Sequence, residues 1–211
     1  YKVNAIYPKD NGNFDDGGSN WHLEVINMPE AWEYSLGSNN FFVGVCDAGF
    51  DDKHDDLSGR FATFLTSREH SHGMGVAGAI VANSNNNIGI SGINWNTQVV
   101  ASFMNDYRAV ENTINTIQND KVVKLISNSW GYHISSDFNP TNTIMASQRF
   151  NSLLLWTAEL RQLVSQRTDK LFLWAAGNGV GNGASATGYY GVDAMYDNGV
   201  RHYDNNGNLH K

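Results

Sequence analysis

Three short stretches of this chain set residues able to do acyl-transfer chemistry beside glycine. They are Cys46-Asp47-Ala48-Gly49, His72-Gly73-Met74-Gly75-Val76-Ala77-Gly78 and Ala175-Ala176-Gly177-Asn178. A buried carboxylate can orient an imidazole through its ring N–H and stabilise the cation formed when the ring takes a proton. An imidazole at a helix amino terminus meets partial positive charge, which favours the neutral ring that a general base requires. A side-chain amide can donate to the oxyanion of a tetrahedral intermediate. Each residue also has a structural explanation. Alone, Asp47 reads as a turn cap with Gly49 supplying the backbone angle. His72 reads as the base because of its position, with Gly73 and Gly75 clearing space for a substrate or strand. Asn178 fits an oxyanion donor and a turn residue equally. His70 and His72 together also suggest a metal pair, weakened by the lack of a nearby third ligand.

The elements that must hold these residues follow from apolar periodicity. Residues 8–20 are rich in Asp, Asn and Gly and read as a loose arm, so 1–20 form an arm and 21–211 one domain. Pro29 before Glu30-Ala31-Trp32-Glu33 opens a short helix. The runs Phe41–Cys46, Phe61–Leu65, Val99–Met104, Val122–Ser127 and Leu171–Ala176 read as strands. A helix starts at His72 and stops before Asn85, with Val76, Ala77, Ile80 and Val81 three to four apart. A second spans Tyr107–Asn119, with Val110, Ile114 and Ile117 on one stripe. A third covers about Asn142–Gln166, with Leu153, Trp156, Leu160 and Leu163 on one face. Residues 179–211 show no periodicity and read as a long loop. Strands apolar on both faces, alternating with helices, predict an α/β fold with a parallel sheet covered on each side. Ligands of such sheets bind beyond the strands' carboxyl ends. Asp47, Ser129 and Asn178 each stand there.

Composition limits the function classes. A chain of 211 residues can bury a sizeable core, and 41% apolar with 12% aromatic residues excludes a mainly disordered one. Net charge is −7 with no Lys/Arg cluster, which argues against a nucleic-acid partner. The acidity suits a secreted or cell-surface protein. No run of about 18 apolar residues is present, so no membrane span is expected. One cysteine cannot close an internal disulfide. No signal peptide is visible at Tyr1.

Taken together, the three motifs resemble those of the subtilisin-like serine proteases (subtilases) in order and sequence. The stretch from Trp21 to Trp32, with Asn27-Met28-Pro29-Glu30-Ala31, resembles the start of the mature family domain, and His54-Asp55-Asp56-Leu57 the segment after its aspartate motif. Ser127-Asn128-Ser129-Trp130-Gly131 resembles a substrate-binding strand end. The resemblance implies a subtilisin-like three-layer α/β/α fold with a mainly parallel sheet. It implies that Asp47 orients, that His72 is general base and acid, and that Asn178 is the oxyanion donor. Ser129, Trp130 and Gly131 would pair with the backbone of a peptide or protein substrate, and Ala175, Ala176 and Gly177 would line the S1 slot. Two positions depart from the family: Met74 where threonine is usual, and Gly75 where histidine is frequent.

The loop Ser84–Ile90 resembles a family calcium loop. The implied ligands are Asp56, the side chain of Asn86, and the carbonyls of Ser84, Ile88 and Ile90, an oxygen-only set suited to a hard cation. A polar loop held by its own asparagines explains the residues equally well. No organic cofactor is expected.

The family nucleophile lies in a Gly-Thr-Ser-x-Ala motif at the start of a central helix, several dozen residues beyond the oxyanion asparagine. Gly183-Ala184-Ser185-Ala186 stands too close to Asn178 and precedes no helical pattern. The expectation is a domain truncated on its C-terminal side, inactive alone, with the nucleophile-bearing part as a separate-chain partner. The alternatives are a non-catalytic subtilase-like module that binds peptides or proteins, and a metal-dependent hydrolase using Asp47, His70 and His72.

Overall fold

The computed structural model describes residues 5–10, 20–51, 53–66, 71–104, 107–130, 132–133, 158–175 and the pairs 189–190, 202–203 and 209–210. Contacts divide the chain into two units, Tyr1–Ser127 and Asn128–Lys211. In chain order the first unit has α1 (Trp21–Val25), α2 (Met28–Ala31), β1 (Phe42–Asp47), a 3-10 turn (Asp55–Leu57), β2 (Phe61–Thr66), α3 (Ser71–Val81), β3 (Gln98–Phe103), α4 (Tyr107–Ile114), β4 (Ile117–Gln118) and β5 (Lys121–Asn128), whose last residue opens the second unit.

Alternation along β1 organises the first unit. Every residue of this strand is buried, and successive side chains point to opposite faces. Val43 and Val45 join Phe50, Leu57, Val99 and Ala101 in a core closed by Ala77 and Val81 of α3. On the opposite face Gly44 lies against Thr113, Val123 and Ile126, and Cys46 Sγ is 3.3 Å from Thr113 Oγ1 of α4. Helices therefore cover both faces, which is the expected α/β/α layering. The strand order is β2-β3-β1-β5-β4. β1 and β3 run parallel with Val43 opposite Val99 and Asp47 opposite Phe103. β2 is parallel to β3, with register shifts between Phe61 and Thr63 and between Phe64 and Thr66.

The β4–β5 pair is antiparallel and corrects the sequence reading. The helix expected over Tyr107–Asn119 ends at Ile114. Asn119 and Asp120 have φ of 51° and 62°, and two successive left-handed residues suit the type I′ turn that two-residue hairpins favour. Val110 and Ile114 are buried as the stripe predicts, but Ile117 is 70% exposed on the hairpin.

The amino-terminal segment is also better held than its composition suggests. Pro29 sits in the first turn of α2. Trp32 is buried, its Nε1 donating to Ile93 O at 2.8 Å and its ring 5.0 Å from that of Trp95. Ile6 N donates to Pro29 O. Asp10, expected within a loose arm, is fully buried.

In the second unit a helix over residues 158–165 buries Leu160 and Leu163, and positions 142–157 of the expected helix lie outside the described residues. β6 (Tyr132–His133) pairs antiparallel with β8 (Tyr189–Tyr190), and β9 (His202–Tyr203) with β10 (Leu209–His210). Short strands thus occur within the stretch 179–211 that was expected to be loop. β7 (Leu171–Trp174) is the strand expected at 171–176; Ala175 follows it, and position 176 lies outside the described residues.

Candidate active site

The alternation that buries Val43 and Val45 beneath α3 aims Asp47 to the same side, at the carboxyl end of β1. Its side chain is 1% exposed. The strand end is fixed where Met104 N donates to Asp47 O at 2.8 Å, and Ala48 N donates to Asp47 Oδ1 at 2.6 Å. The same Oδ1 lies 2.6 Å from Nδ1 of His72, in the first turn of α3. A carboxylate can only accept, so Nδ1 is the donor, and in the neutral tautomer this contact selects, Nε2 bears the lone pair that a base requires. The His72 side chain is half exposed. Asp47 Oδ2 is buried with no hydrogen-bond partner among the described residues, an arrangement that costs free energy unless a donor reaches it.

Gly73 makes this encounter possible. A Cβ there would collide with the Gly49 carbonyl oxygen and stand 3.0 Å from the Phe50 ring. Of the two approaches the sequence suggested at Gly73, by substrate or by a strand, the described residues show close approach of backbone, that of the chain's own Gly49. Gly75 does face open space. At Met74 the Sδ accepts the Asp51 N–H at 3.0 Å. Cys46, beside the acid, is no second nucleophile. Burial pushes its thiol up to about 12, with the Asp47 charge adding and the Thr113 hydrogen bond opposing, so it stays protonated.

A second polar cluster lies on the asparagine-rich loop after α3. Asp56 is buried, its Oδ1 accepting from Asn86 Nδ2 at 2.9 Å and its Oδ2 from Ile90 N at 3.0 Å. Gly89 has φ of 53°, and a Cβ there would collide with the Asp56 carboxylate. Burial raises the Asp56 pKa, the Asp10 charge adds to this, and hydrogen bonds from Asn86 and Ile90 and the charge of His54 oppose it. Sequence reasoning missed Asp10. Its Oδ2 accepts from Asn85 N and Ser91 Oγ, both at 2.6 Å, and its Oδ1 from Asn87 N at 2.8 Å. Left-handed backbone at Asn85 and Asn87, φ 64° and 60°, turns these N–H groups toward one carboxylate as an anion nest. No local signal marks Asp10, because Asp-Asn-Gly-Asn is linker composition.

The Asp56 surroundings fit a hard cation on two counts. Its carboxylate is buried with its charge penalised, and Asn86 would present an oxygen instead of N–H₂ on rotation of its amide. Asn86 Oδ1 at present accepts from Ile88 N at 2.8 Å. The alternative set Asp47, His70 and His72 has His70 outside the described residues.

In the second unit, Asn128 O accepts from Ala175 N at 3.0 Å and Asn128 Nδ2 donates to Leu173 O at 3.3 Å. This brings the strand end that carries Ser129 and Trp130 beside Ala175, and the Trp130 ring lies 6.4 Å from that of Trp174. Gly131, Ala176, Gly177 and Asn178 lie outside the described residues.

Comparison with known proteins agrees with this layout. The profile described as "Subtilase family" (Peptidase_S8) matches residues 38–209. Minor extracellular protease Epr of Bacillus subtilis (strain 168) is 38% identical over 92 residues, 41% of this chain and 14% of that protein. Proprotein convertase subtilisin/kexin type 6 of Rattus norvegicus is 23% identical over 202 residues, 86% of this chain and 21% of that protein. Among solved structures, a protease of Pseudoalteromonas arctica PAMC 21717 superposes with a TM-score of 0.53 at 20% identity, covering 81% of this chain and 59% of that one, a likeness of fold. The chain thus spans about a fifth or less of these curated relatives and somewhat over half of the solved protease. With more than half of its residues matched by one profile, the chain belongs to the subtilase family.

Proposed function

We propose that this chain is the acid- and base-bearing part of a serine endopeptidase of the subtilisin type, which hydrolyses peptide bonds through an acyl-enzyme. The observation that carries the proposal is the 2.6 Å contact between Asp47 Oδ1 and His72 Nδ1 at the carboxyl end of a buried strand. Asp47 holds the ring through Nδ1, which leaves Nε2 as the nitrogen that exchanges the proton. His72 takes the proton of a serine hydroxyl and later gives it to the leaving amine, and the buried carboxylate stabilises the imidazolium between those steps. Asn178 donates to the oxyanion. Ser129, Trp130 and Gly131 bind substrate backbone, and Ala175, Ala176 and Gly177 border the S1 slot.

The serine comes from a segment beyond these 211 residues, as a continuation or a separate chain, and the chain alone is inactive. Secretion or surface display is part of the proposal and is supported by the name of the extracellular protease Epr. Among the described residues no helix is long and apolar enough to cross a membrane. Calcium is proposed as a structural ion held by Asp56, Asn86 and the carbonyls of Ser84, Ile88 and Ile90, where it would neutralise the buried Asp56 charge.

The test is peptide hydrolysis and fluorophosphonate labelling of the chain alone and of the chain supplied with its downstream coding sequence. The extended form is expected to hydrolyse and to label on one serine, and the shorter form to do neither. In the extended form Asp47→Asn is expected to lower kcat by about 10⁴ through the wrong ring tautomer. An extended form that binds peptides without cleaving them would establish the non-catalytic module instead.

A further inference from the structure

The segment after β1 meets the first turn of α3 at three points in step. The Asp47 side chain meets His72, the Gly49 carbonyl lies over Gly73, and the Asp51 N–H donates to Met74. The first contact orients the ring and the second allows close approach. The third closes the segment. Gly49, at φ 150°, gives the intervening backbone freedom that other residues lack, so a segment pinned only at Asp47 would have latitude in how its carboxylate meets the helix. Asp51 is fixed on both sides of its α-carbon: its N–H on Met74 Sδ at 3.0 Å, its Oδ1 accepting from Lys53 N at 2.9 Å. Met74 is itself packed against the core that holds Phe50, Ala77 and Val81. The thioether therefore joins the far end of the acid segment to the helix that carries the base.

We propose that Met74 is a positioning residue for the Asp47–His72 pair, its sulfur holding the Asp51 peptide so that the carboxylate and ring meet at hydrogen-bond distance. This rests on the reading of that pair as acid and base. A thioether is a weak acceptor, but its flexible unbranched chain reaches a backbone N–H that a shorter side chain on the same helix could not. The role differs from core filling, because it depends on the acceptor and not on the volume.

Two variants separate these roles. Met74→Leu keeps the volume and removes the acceptor, and Met74→Gln supplies a carbonyl oxygen one bond beyond the position of the sulfur, on a flexible side chain that can fold back to the Asp51 N–H. In the ¹⁵N-labelled chain supplied with its downstream coding sequence, the readouts are the hydrogen-exchange protection of the Asp51 amide and the bonded His72 Nδ1–H resonance, identified by its loss in Asp47→Ala. Met74→Leu is expected to reduce Asp51 protection about 2- to 3-fold, the low end for one hydrogen bond because the acceptor is weak, and to speed exchange of the ring proton. Met74→Gln is expected to restore both. A ring proton and an Asp51 amide that behave in Met74→Leu as in the parent overturn the positioning role while leaving the acid–base pair intact. Should Met74→Leu fail to fold, Met74→Ile, which also lacks an acceptor, is read in its place, and an Asp51 amide and ring proton that behave in it as in the parent overturn the role equally. Absence of a bonded ring proton in the parent chain overturns the pair, and the proposal with it.

Discussion

Asp10 and Asp56 are two buried carboxylates held by one loop, and their partners predict different behaviour on substitution. Asp10 satisfies two backbone N–H groups and the Ser91 hydroxyl. Asp10→Ala strands those donors, so chemical denaturation is expected to show a loss of about 2–4 kcal/mol, the scale of buried groups left unpaired. Asp56 has one N–H donor at each oxygen, and burial raises its pKa. A carboxyl whose folded pKa lies above its unfolded value favours folding when protonated. That contribution is complete below the unfolded carboxyl range, about 3.9, and is lost as pH rises through the folded pKa. In chelator, the melting temperature of the parent is therefore expected to rise relative to that of Asp56→Asn as pH falls toward about 4, an acid-side advantage that Asn, which does not titrate, cannot show. Asn86, Ile90, Asp10 and His54 act on this carboxyl besides burial, and Asp10→Ala should shrink the advantage by removing the neighbouring charge. Added calcium should raise the melting temperature of the parent and not of Asp56→Asn. A parent indifferent to both chelator and calcium would end the ion proposal.

At the scale of elements, α3 carries two glycines with opposite demands. Gly73 gives way to the Gly49 carbonyl, whereas Gly75 is exposed with open space where a Cβ would stand. Gly75→Ala is expected to stabilise the chain by up to about 1 kcal/mol, because glycine within a helix loses more backbone entropy than alanine. Gly73→Ala is expected to cost about 1–3 kcal/mol by overpacking and to abolish the bonded His72 ring proton as α3 lifts from the acid segment. Thermal melts with one-dimensional proton spectra check both. Equal effects from the two substitutions would show that the first turn of α3 does not rest on the loop after Asp47. The contrast also shows what a motif conceals. In the sequence, Gly73 and Gly75 both read as cleared approach paths, and only coordinates distinguish an inward glycine from an outward one.

For the whole molecule, legibility followed the range of the interaction that decides each feature. The buried alternation of β1 and the spacing of Ala77 and Val81 are local, so strand, helix and α/β layering could be read directly. Asp47 and His72 are 25 residues apart and were paired through motif order, not periodicity. The β4–β5 hairpin was missed because Val110, Ile114 and Ile117 mimic a helical stripe, while the turn depends on Asn119 and Asp120 accepting left-handed backbone. Asp10 was illegible because its partners lie 75 to 81 residues away and two of them are backbone groups. Long-range contact also decides where the surface is weakest. Strands of a helix-covered sheet are buried on both faces, as β1 is, yet Leu171 and Leu173 of β7 are 55% and 47% exposed, on one side of that strand. Apolar side chains in such a row invite association. The 211 residues alone are therefore expected to bind a hydrophobic dye and to self-associate as concentration rises. Leu171→Lys with Leu173→Lys should reduce both without lowering the melting temperature, because exposed side chains contribute little to stability. Light scattering and dye fluorescence check this. A fall of several degrees in the double variant would mean that these leucines are already packed in solution, and that β7 is covered by residues of the chain itself.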